Sequence, residues 1–277
     1  MKLAELAEQY NFTRRTVAIT GGAGVLGGAI AGALVELGAN VSVLDHRPER
    51  AGKVLERLNR GPGTVRVVYA DVLKPETLVK AEEVIRLEFG PVDTLINAAG
   101  GIHPGATTSP DKSFFDLAPE DLRHVSDLNF MGTISPCQVF GRGMAQRGQG
   151  VILNVSSMSA YRPLTRVIAY SAAKAAVSSF TQWLAVHMAQ EYSAHIRVNA
   201  LAPGFFLTDL NRFLLLDQTT GELSARGQAI MAHTPMKRFG QPEDLIGAAL
   251  WLLSPLSSFV TGIVLPVDGG FLAYAGV

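Results

Sequence analysis

Thr16-Val-Ala-Ile-Thr20 running into Gly21-Gly-Ala-Gly24-Val-Leu-Gly27 decides the fold of this chain. The first five residues, apolar and β-branched, read as a short buried strand, and the apolar run from Val25 to about Leu37 reads as a helix. The glycines therefore sit where a strand turns into a helix. Gly22, Gly24 and Gly27 fit a G-x-G-x-x-G spacing, in which absent side chains permit a tight turn and let a pyrophosphate reach backbone amides at the helix N-terminus. Gly21, Gly22, Gly24, Val25 and Leu26 are the candidate contacts of this turn.

The next apolar run, Asn40-Val-Ser-Val-Leu44, ends at Asp45. That is roughly 20 residues beyond the turn, where an acid should grip a ribose 2′-hydroxyl. A carboxylate there accepts from two hydroxyls and repels a 2′-phosphate, so NAD is expected as cofactor over NADP. Ala23 and Gly24 agree, since neither offers a cation from within the turn, although Arg47 lies two residues past Asp45.

Working outward, β-branched runs alternate with longer helical patterns: Val65-Arg-Val-Val-Tyr69, Thr94-Leu-Ile-Asn97, Val151-Ile-Leu-Asn-Val155, Ile196-Arg-Val-Asn199 and Ile263-Val-Leu-Pro-Val267. Seven strands are expected in all. Helices should begin near Pro48, Pro75, Pro119, Ala169 and Pro242, because proline suits a first helical turn, where its missing N–H costs nothing. The alternation predicts an α/β architecture, a doubly wound parallel sheet with right-handed crossovers and helices on both faces. There is no repeat, low-complexity stretch or linker, so residues 1–277 are expected to form one domain, with residues 1–13 an N-terminal extension carrying a small helix. One connection departs from the rhythm: residues 203–240 form a long segment before the last helix, and connections of that length are usually functional.

Composition narrows the partners. The chain has 277 residues, 48% of them hydrophobic, and a formal net charge of zero. That balance supplies no electrostatic argument for nucleic acid or an anionic membrane. Cys137 is the only cysteine, which excludes an internal disulfide and offers no thiol cluster for a metal. A reducing cytoplasm fits. The amphipathic start from Met1 to Tyr10 is no signal core, and no run reaches ~18 apolar residues. A small-molecule substrate and further copies of the chain are the expected partners.

In an open parallel sheet, ligands bind beyond the carboxyl ends of the strands. Those ends carry Asp71-Val72, Asn97-Ala98-Ala99-Gly100, Ser156-Ser157 and Pro203-Gly204. Just beyond Ser157 stand Tyr170 and Lys174, four residues apart and so on one helical face. A fixed ammonium beside a phenol should lower a pKa that otherwise sits near ~10, making the tyrosine an acid and base near neutrality. The pair alone is a weak signal, since both residues are common on helix surfaces. Taken together, however, the Thr20-to-Gly27 turn, Asp71, Asn97-Ala98-Ala99-Gly100, Asn129, Ser157, Tyr170-x-x-x-Lys174 and Pro203-Gly204 with Thr208 resemble the short-chain dehydrogenases/reductases over essentially the whole chain. One position departs: Val25 stands where that family's turn usually carries its middle glycine, and Gly22 and Gly24 are expected to provide the backbone freedom instead.

The resemblance implies a single-domain Rossmann fold and hydride exchange between a nicotinamide dinucleotide and a secondary alcohol or ketone. It assigns Tyr170 as general acid and base, Lys174 as the group that tunes it and holds the nicotinamide ribose, and Ser157 as the hydroxyl that fixes the substrate oxygen. Asn129 would interrupt its helix and expose a carbonyl to a proton-relaying water. Asp71 and Val72 would hold the adenine; Thr208 and the backbone near Phe206 would hold the carboxamide. Asn97, Ala98, Gly100, Pro203 and Gly204 complete the cofactor set. Ser156, one residue off the family spacing, is expected to be structural.

For the substrate, Arg162 and Arg166 in the loop between Ser157 and Tyr170 suggest a carboxylate. The alternative is that they face solvent or a subunit contact. Arg212 and His103 are further candidates for a polar substrate, while His187 should be a packing or surface residue. Arg162-Pro-Leu-Thr-Arg166, Pro203-Gly-Phe-Phe-Leu-Thr208, His233-Thr-Pro-Met236 and Val267-Asp-Gly-Gly-Phe271 together resemble the D-mannonate oxidoreductases, or fructuronate reductases, a narrower group of the same family. That resemblance implies NAD-linked interconversion of D-mannonate and D-fructuronate. Another polyol, gluconate or a 3-oxoacyl thioester as substrate would need the same catalytic residues, and a nucleotide sensor without turnover is the rival of a different class. Long apolar helices from Pro119 to Arg147 and Ala169 to Tyr192 point to oligomers, a homotetramer by resemblance, with the tail from Val267 to Val277 packed on a neighbour.

Overall fold

The computed structural model describes the chain except residues 1, 48, 50, 209, 210, 218 and 277. The expected helix start at Pro48 and the tail residue Val277 thus lie outside the described residues. Each of the seven runs forms a strand: β1 (Thr16–Thr20), β2 (Asn40–Asp45), β3 (Thr64–Tyr69), β4 (Thr94–Asn97), β5 (Gly150–Val155), β6 (Ile196–Pro203) and β7 (Val264–Val267). They make one sheet in the order β3-β2-β1-β4-β5-β6-β7, with every neighbouring pair parallel.

The helices are α1 (Leu3–Glu8), α2 (Val25–Glu36), α3 (Ala51–Leu58), α4 (Pro75–Phe89) and α5 (Pro119–Ser126), then α6 (Gly132–Arg147), α7 (Ile168–Glu191), α8 (Arg212–Leu215), α9 (Ala225–His233) and α10 (Ile246–Leu253). Proline opens α4 and α5 as expected. Pro242 opens a 3₁₀ turn, Pro242–Leu245, that leads into α10.

Strand side chains alternate between two layers, which is why the strands read as nearly unbroken apolar runs. On one side Val17, Ile19, Val43 and Leu201 pack with Ile30 and Leu34 of α2, Val54 of α3 and Leu252 of α10. On the other, Ala18, Leu95, Ile152 and Val198 pack with Leu78 and Ile85 of α4, Phe140 and Met144 of α6, and Leu184 of α7. Leu34, Leu78, Ile85, Leu95 and Ile152 have no exposed surface, and each contributes about 1.5–3 kcal/mol by leaving water. Cys137 lies in the second layer, where burial pushes its thiol up to about 12, so it is a packing residue and not a nucleophile.

The helical run expected from Pro119 to Arg147 is interrupted, as the resemblance implied at Asn129, by a π-helical turn, Asp127–Met131, with Asn129 at its centre. β6 runs on to Pro203, bringing Gly204 to the sheet's edge. Within its own chain the C-terminal segment makes aromatic contacts: Phe271 meets Phe205 and His233 edge-on at 5.3 and 4.6 Å, and the Tyr274 ring lies 5.1 Å from that of His233. Its aromatic side chains thereby close one edge of the long segment at 203–240. His187 is half-buried and stacks at 4.8 Å on the exposed Trp183, within the packing or surface role expected of it.

Candidate active site

β1 and β4 are neighbours from which the chain departs in opposite directions, and a cleft of 1180 Å³ opens beyond their carboxyl ends. Gly21, Gly24, Val25 and Leu26 line its floor. Gly21 has φ 67°, and a Cβ there would lie 2.6 Å from the Ala98 carbonyl and the Ala99 nitrogen, so only glycine lets the turn lie against the end of β4. The backbone freedom expected at Gly22 and Gly24 is therefore supplied by Gly21. Gly22 faces the core, where a Cβ would press on Ile19 at 2.9 Å, and it does not line the cleft. Val25 is tolerated because it is the first residue of α2, with Gly24 as the extended N-cap. First-turn amides have no carbonyl of their own helix to bond, and here they border a floor left bare of side chains at Gly21 and Gly24, which fits the pyrophosphate of a dinucleotide.

Asp45 ends β2 on the cleft wall, 8% exposed, its Oδ1 accepting from the Arg47 backbone N–H at 2.8 Å. Arg47, Lys53 and Arg57 share this rim. From α3, Arg57 Nη2 donates long hydrogen bonds to the carbonyls of Gly22, Ala23 and Gly24 at 3.3–3.4 Å. Sequence reading missed this cation, which meets the turn from 33 to 35 residues away. Asp71 and Val72 line the next wall, and Asp71 Oδ1 accepts from the Leu73 N–H at 3.0 Å. Ala98 and Gly100 follow from β4. Asn97 does not: its side chain turns inward to donate to Asn154 Oδ1 at 2.9 Å and Cys137 Sγ at 3.2 Å, because the last residue of β4 still alternates toward the second layer.

Ser157 follows β5, and Tyr170 and Lys174 stand one turn apart at the start of α7, so all three border the cleft. The Ser157 hydroxyl hydrogen-bonds the Tyr170 phenol and also accepts from the Ser159 N–H at 3.1 Å. Lys174 is 4% exposed; its Nζ donates to the Val155 carbonyl at 2.7 Å and lies 5.7 Å from the centre of the Tyr170 ring. Burial draws this ammonium down to about 8. Burial also pushes the Tyr170 phenol up, with the Ser157 hydrogen bond opposing it. This reverses the direction expected from the sequence, because burial takes the phenolate out of water while Lys174 directs its proton at a peptide carbonyl. Burial therefore favours the neutral phenol. Ser156 also lines the cleft, its hydroxyl sharing a 2.7 Å hydrogen bond with Ser178 on α7 and bonding the Lys174 carbonyl at 3.1 Å.

Pro203, Gly204, Phe206 and Thr208 close the cleft from the end of β6, where Asn211 orders the turn by accepting from the Thr208 N–H at 2.9 Å and donating to the Phe206 carbonyl at 2.7 Å. Asn129 lies outside the cleft lining. Its side chain donates to the carbonyls of Gly101 and Val125 at 2.8 Å and accepts from the Gly101 N–H at 3.0 Å, while its own carbonyl accepts from Thr133 Oγ1 at 2.9 Å. Asn129 thus pins the strand-end loop, and its carbonyl, expected to face a water, is engaged by a hydroxyl.

None of the four polar candidates for the substrate lines the cleft. His103 caps a 3₁₀ turn, accepting from the Gly105 N–H at 3.1 Å, with Asp121 3.4 Å away. Arg162 Nη1 donates to the Tyr274 carbonyl at 3.2 Å, so it fastens the C-terminal segment. Arg212 is exposed on the first turn of α8, and Arg166 is exposed on the rim. Besides Arg47 and Arg57, the cleft is lined by the guanidinium of Arg226 of α9, which reaches the Ser157–Tyr170 loop through Thr165 Oγ1 at 2.7 Å. Only the length of the 203–240 segment hinted at it. Among the described residues, no helix is long and apolar enough to cross a membrane, and no group of three or more His, Cys, Asp or Glu could hold a metal.

The model of a family described as enoyl-(acyl carrier protein) reductase matches residues 21–272. The uncharacterized oxidoreductase UxuB of Bacillus subtilis is 47% identical over 276 residues, 96% of this chain and 98% of that protein. A provisionally named D-mannonate oxidoreductase from Haemophilus influenzae, solved with NAD bound, superposes with a TM-score of 0.90 at 41% identity, covering 98% of this chain and 100% of that one. A gluconate 5-dehydrogenase from Burkholderia cenocepacia, solved with NADP and tartrate, superposes with a TM-score of 0.85 at 29% identity, covering 98% and 100%.

Proposed function

We propose a substrate and a cofactor for this chain, which belongs to the short-chain dehydrogenase/reductase family and is an oxidoreductase acting on hydroxyl groups: D-mannonate, interconverted with D-fructuronate, and NAD. The observation that carries the reading is the full-length likeness to the NAD-bound protein from Haemophilus influenzae. Asp45 on the ribose rim supports NAD, because a buried carboxylate there opposes a 2′-phosphate.

When bound, the dinucleotide supplies or accepts the hydride. The chain's own residues manage the proton and the geometry. Tyr170, kept neutral by burial, donates its proton to the substrate oxygen in reduction and takes one back in oxidation. Ser157, bonded to that phenol, orients the same oxygen. Lys174, one turn below, places a cation where the phenolate forms, which stabilises it in a site of low polarity. Gly21, Gly24, Val25 and Leu26 hold the pyrophosphate, Asp71 and Val72 the adenine, and Phe206 and Thr208 the nicotinamide end. The segment at 203–240 acts as the substrate-binding segment. We read the enzyme further as a cytoplasmic homotetramer, since Trp183, Val186 and Tyr192 leave more than half their surface exposed on or beside α7.

The test is oxidation of NADH and NADPH with D-fructuronate beside neutral ketoses, 5-ketogluconate and a 3-oxoacyl thioester. D-Fructuronate with NADH should give the highest kcat/KM, and Tyr170→Phe should lower kcat by about 10²–10⁴ with NADH binding kept. Faster turnover of any other ketone in the panel refutes the substrate, and full activity of the phenylalanine variant refutes the mechanism.

A further inference from the structure

Arg226 stands in the first turn of α9, half-buried, on the part of the cleft wall that also carries Leu164, Val167, Asn211 and Leu214. Its guanidinium gives one N–H to Thr165 Oγ1 at 2.7 Å and another to the Thr165 carbonyl at 3.2 Å. A guanidinium carries five N–H donors, so three remain. Arg166, the neighbour of Thr165, is held with φ 74°, an unusual conformation for a residue with a side chain, and its carbonyl accepts from the Thr108 N–H at 3.0 Å. Burial disfavours the charge on Arg226 first, and the charge of Arg166 opposes it next.

Two guanidiniums thus repel one another at the rim of an otherwise apolar cleft end. Four other arginines meet acids, Arg238 with Asp244, Arg66 with Glu88, Arg86 with Glu82 and Arg47 with Asp45, while Arg57, Arg147 and Arg197 donate to backbone carbonyls. Among the described residues, no carboxylate forms an ion pair with Arg226 or Arg166. Arg226 is half-buried beside the like charge of the exposed Arg166, a placement that an anion would relieve, and planar guanidinium groups bind carboxylates with two parallel hydrogen bonds.

We propose that Arg226, with Arg166 beside it, is the receptor for the substrate's carboxylate, and that this pair sets the preference for a sugar acid over a neutral sugar. The inference rests on the sugar-acid reading above; it keeps Arg166 from the sequence pattern and adds Arg226, which that pattern does not mark. It also makes the 203–240 segment a participant in specificity, because α9 brings the cation to a loop 61 residues away in the chain.

The competing role for Arg226 is a staple between α9 and Thr165, and three variants separate the two. Arg226→Gln should raise KM for D-fructuronate about 30-fold, with kcat and KM for a neutral ketose and for NADH essentially unchanged. Arg226→Lys, which keeps the charge, should restore part of that loss. Thr165→Val removes the staple's hydroxyl and keeps the cation, and should leave the acid preference intact. Calorimetric binding of D-mannonate and of D-mannitol to the NADH-loaded enzyme gives a readout independent of turnover, with only D-mannonate weakened in Arg226→Gln. Equal losses for acid and neutral ligands in Arg226→Gln, or the same acid-selective loss in Thr165→Val, overturn the inference and leave the substrate reading standing. If the wild type binds D-mannonate through Arg226 yet turns over no D-fructuronate, the substrate reading fails and the receptor remains. Absence of D-mannonate binding to the wild type overturns both.

Discussion

Lys174→Met is expected to make the protein more stable at neutral pH while disabling it. The ammonium is 4% exposed, has no carboxylate partner among the described residues, and is drawn by burial from 10.5 to about 8. The folded state therefore disfavours the charged form. Below pH 8 the whole cost is present, on the order of 3 kcal/mol at ~1.4 kcal/mol per pKa unit. Between pH 8 and 10.5 the unfolded chain still holds a proton that the folded chain has released, so stability rises with pH, and above 10.5 the cost is gone. Methionine keeps an unbranched stem and removes the charge, but it also removes the donor to the Val155 carbonyl, which costs about 1–2 kcal/mol. The net expectation at pH 7 is a gain of about 1–2 kcal/mol for the variant. That gain should shrink by about 2 kcal/mol between pH 7 and pH 9.5, because only the wild type titrates. Urea unfolding of both proteins without dinucleotide, followed by tryptophan fluorescence at the two pH values, measures it. A variant less stable than wild type at pH 7, or an offset that does not change with pH, would show that the buried ammonium is not under strain.

Gly21→Ala should cost about 2–4 kcal/mol, from the positive φ and the 2.6 Å approach to Ala98, and should weaken NADH binding. Gly24→Ala, whose nearest contact is Gly21 O at 3.1 Å, should cost clearly less, and equal urea midpoints for the two variants would contradict the assignment of the turn's freedom to Gly21. Asp45→Ala should lower KM for NADPH about tenfold and raise that for NADH, since Arg47 and Lys53 stay on the same rim. An unchanged ratio of the two KM values in steady-state assays would remove Asp45 as the selector.

The parallel sheet was legible because its strands are buried on both faces, so β1 to β7 announce themselves as apolar runs whose order alternates with helices. Residues that act where a strand ends were legible too: Asp45, Asp71, Gly100, Ser157 and Gly204 all border the cleft. What misled was direction. Asn97 ends a strand like the others, yet the two-residue alternation turns its amide into the core, toward Asn154. Arg162 and Arg166 sit in the right loop, but a loop's sequence does not say which way its side chains leave it, and Arg162 leaves toward Tyr274. Arg226 and Arg57 were missed because each meets its target across the fold, through contacts no local spacing encodes. The sign of the Tyr170 shift was misjudged for a related reason: the neighbouring cation is visible in sequence, whereas the depth of burial behind that sign is a property of the packed molecule.

Arg57 binds the backbone of the glycine turn to the helix that borders the ribose rim. Its charge draws three peptide oxygens to one side; of the amides in those peptide units the Gly24 N–H is bonded to the Gly21 carbonyl at 3.0 Å, which leaves those of Ala23 and Val25 for the diphosphate proposed above. The two grips on the dinucleotide are in this way mechanically a single jaw. Loosening that brace would weaken the hold on every nicotinamide dinucleotide alike, whereas a change at Asp45 redistributes preference between them.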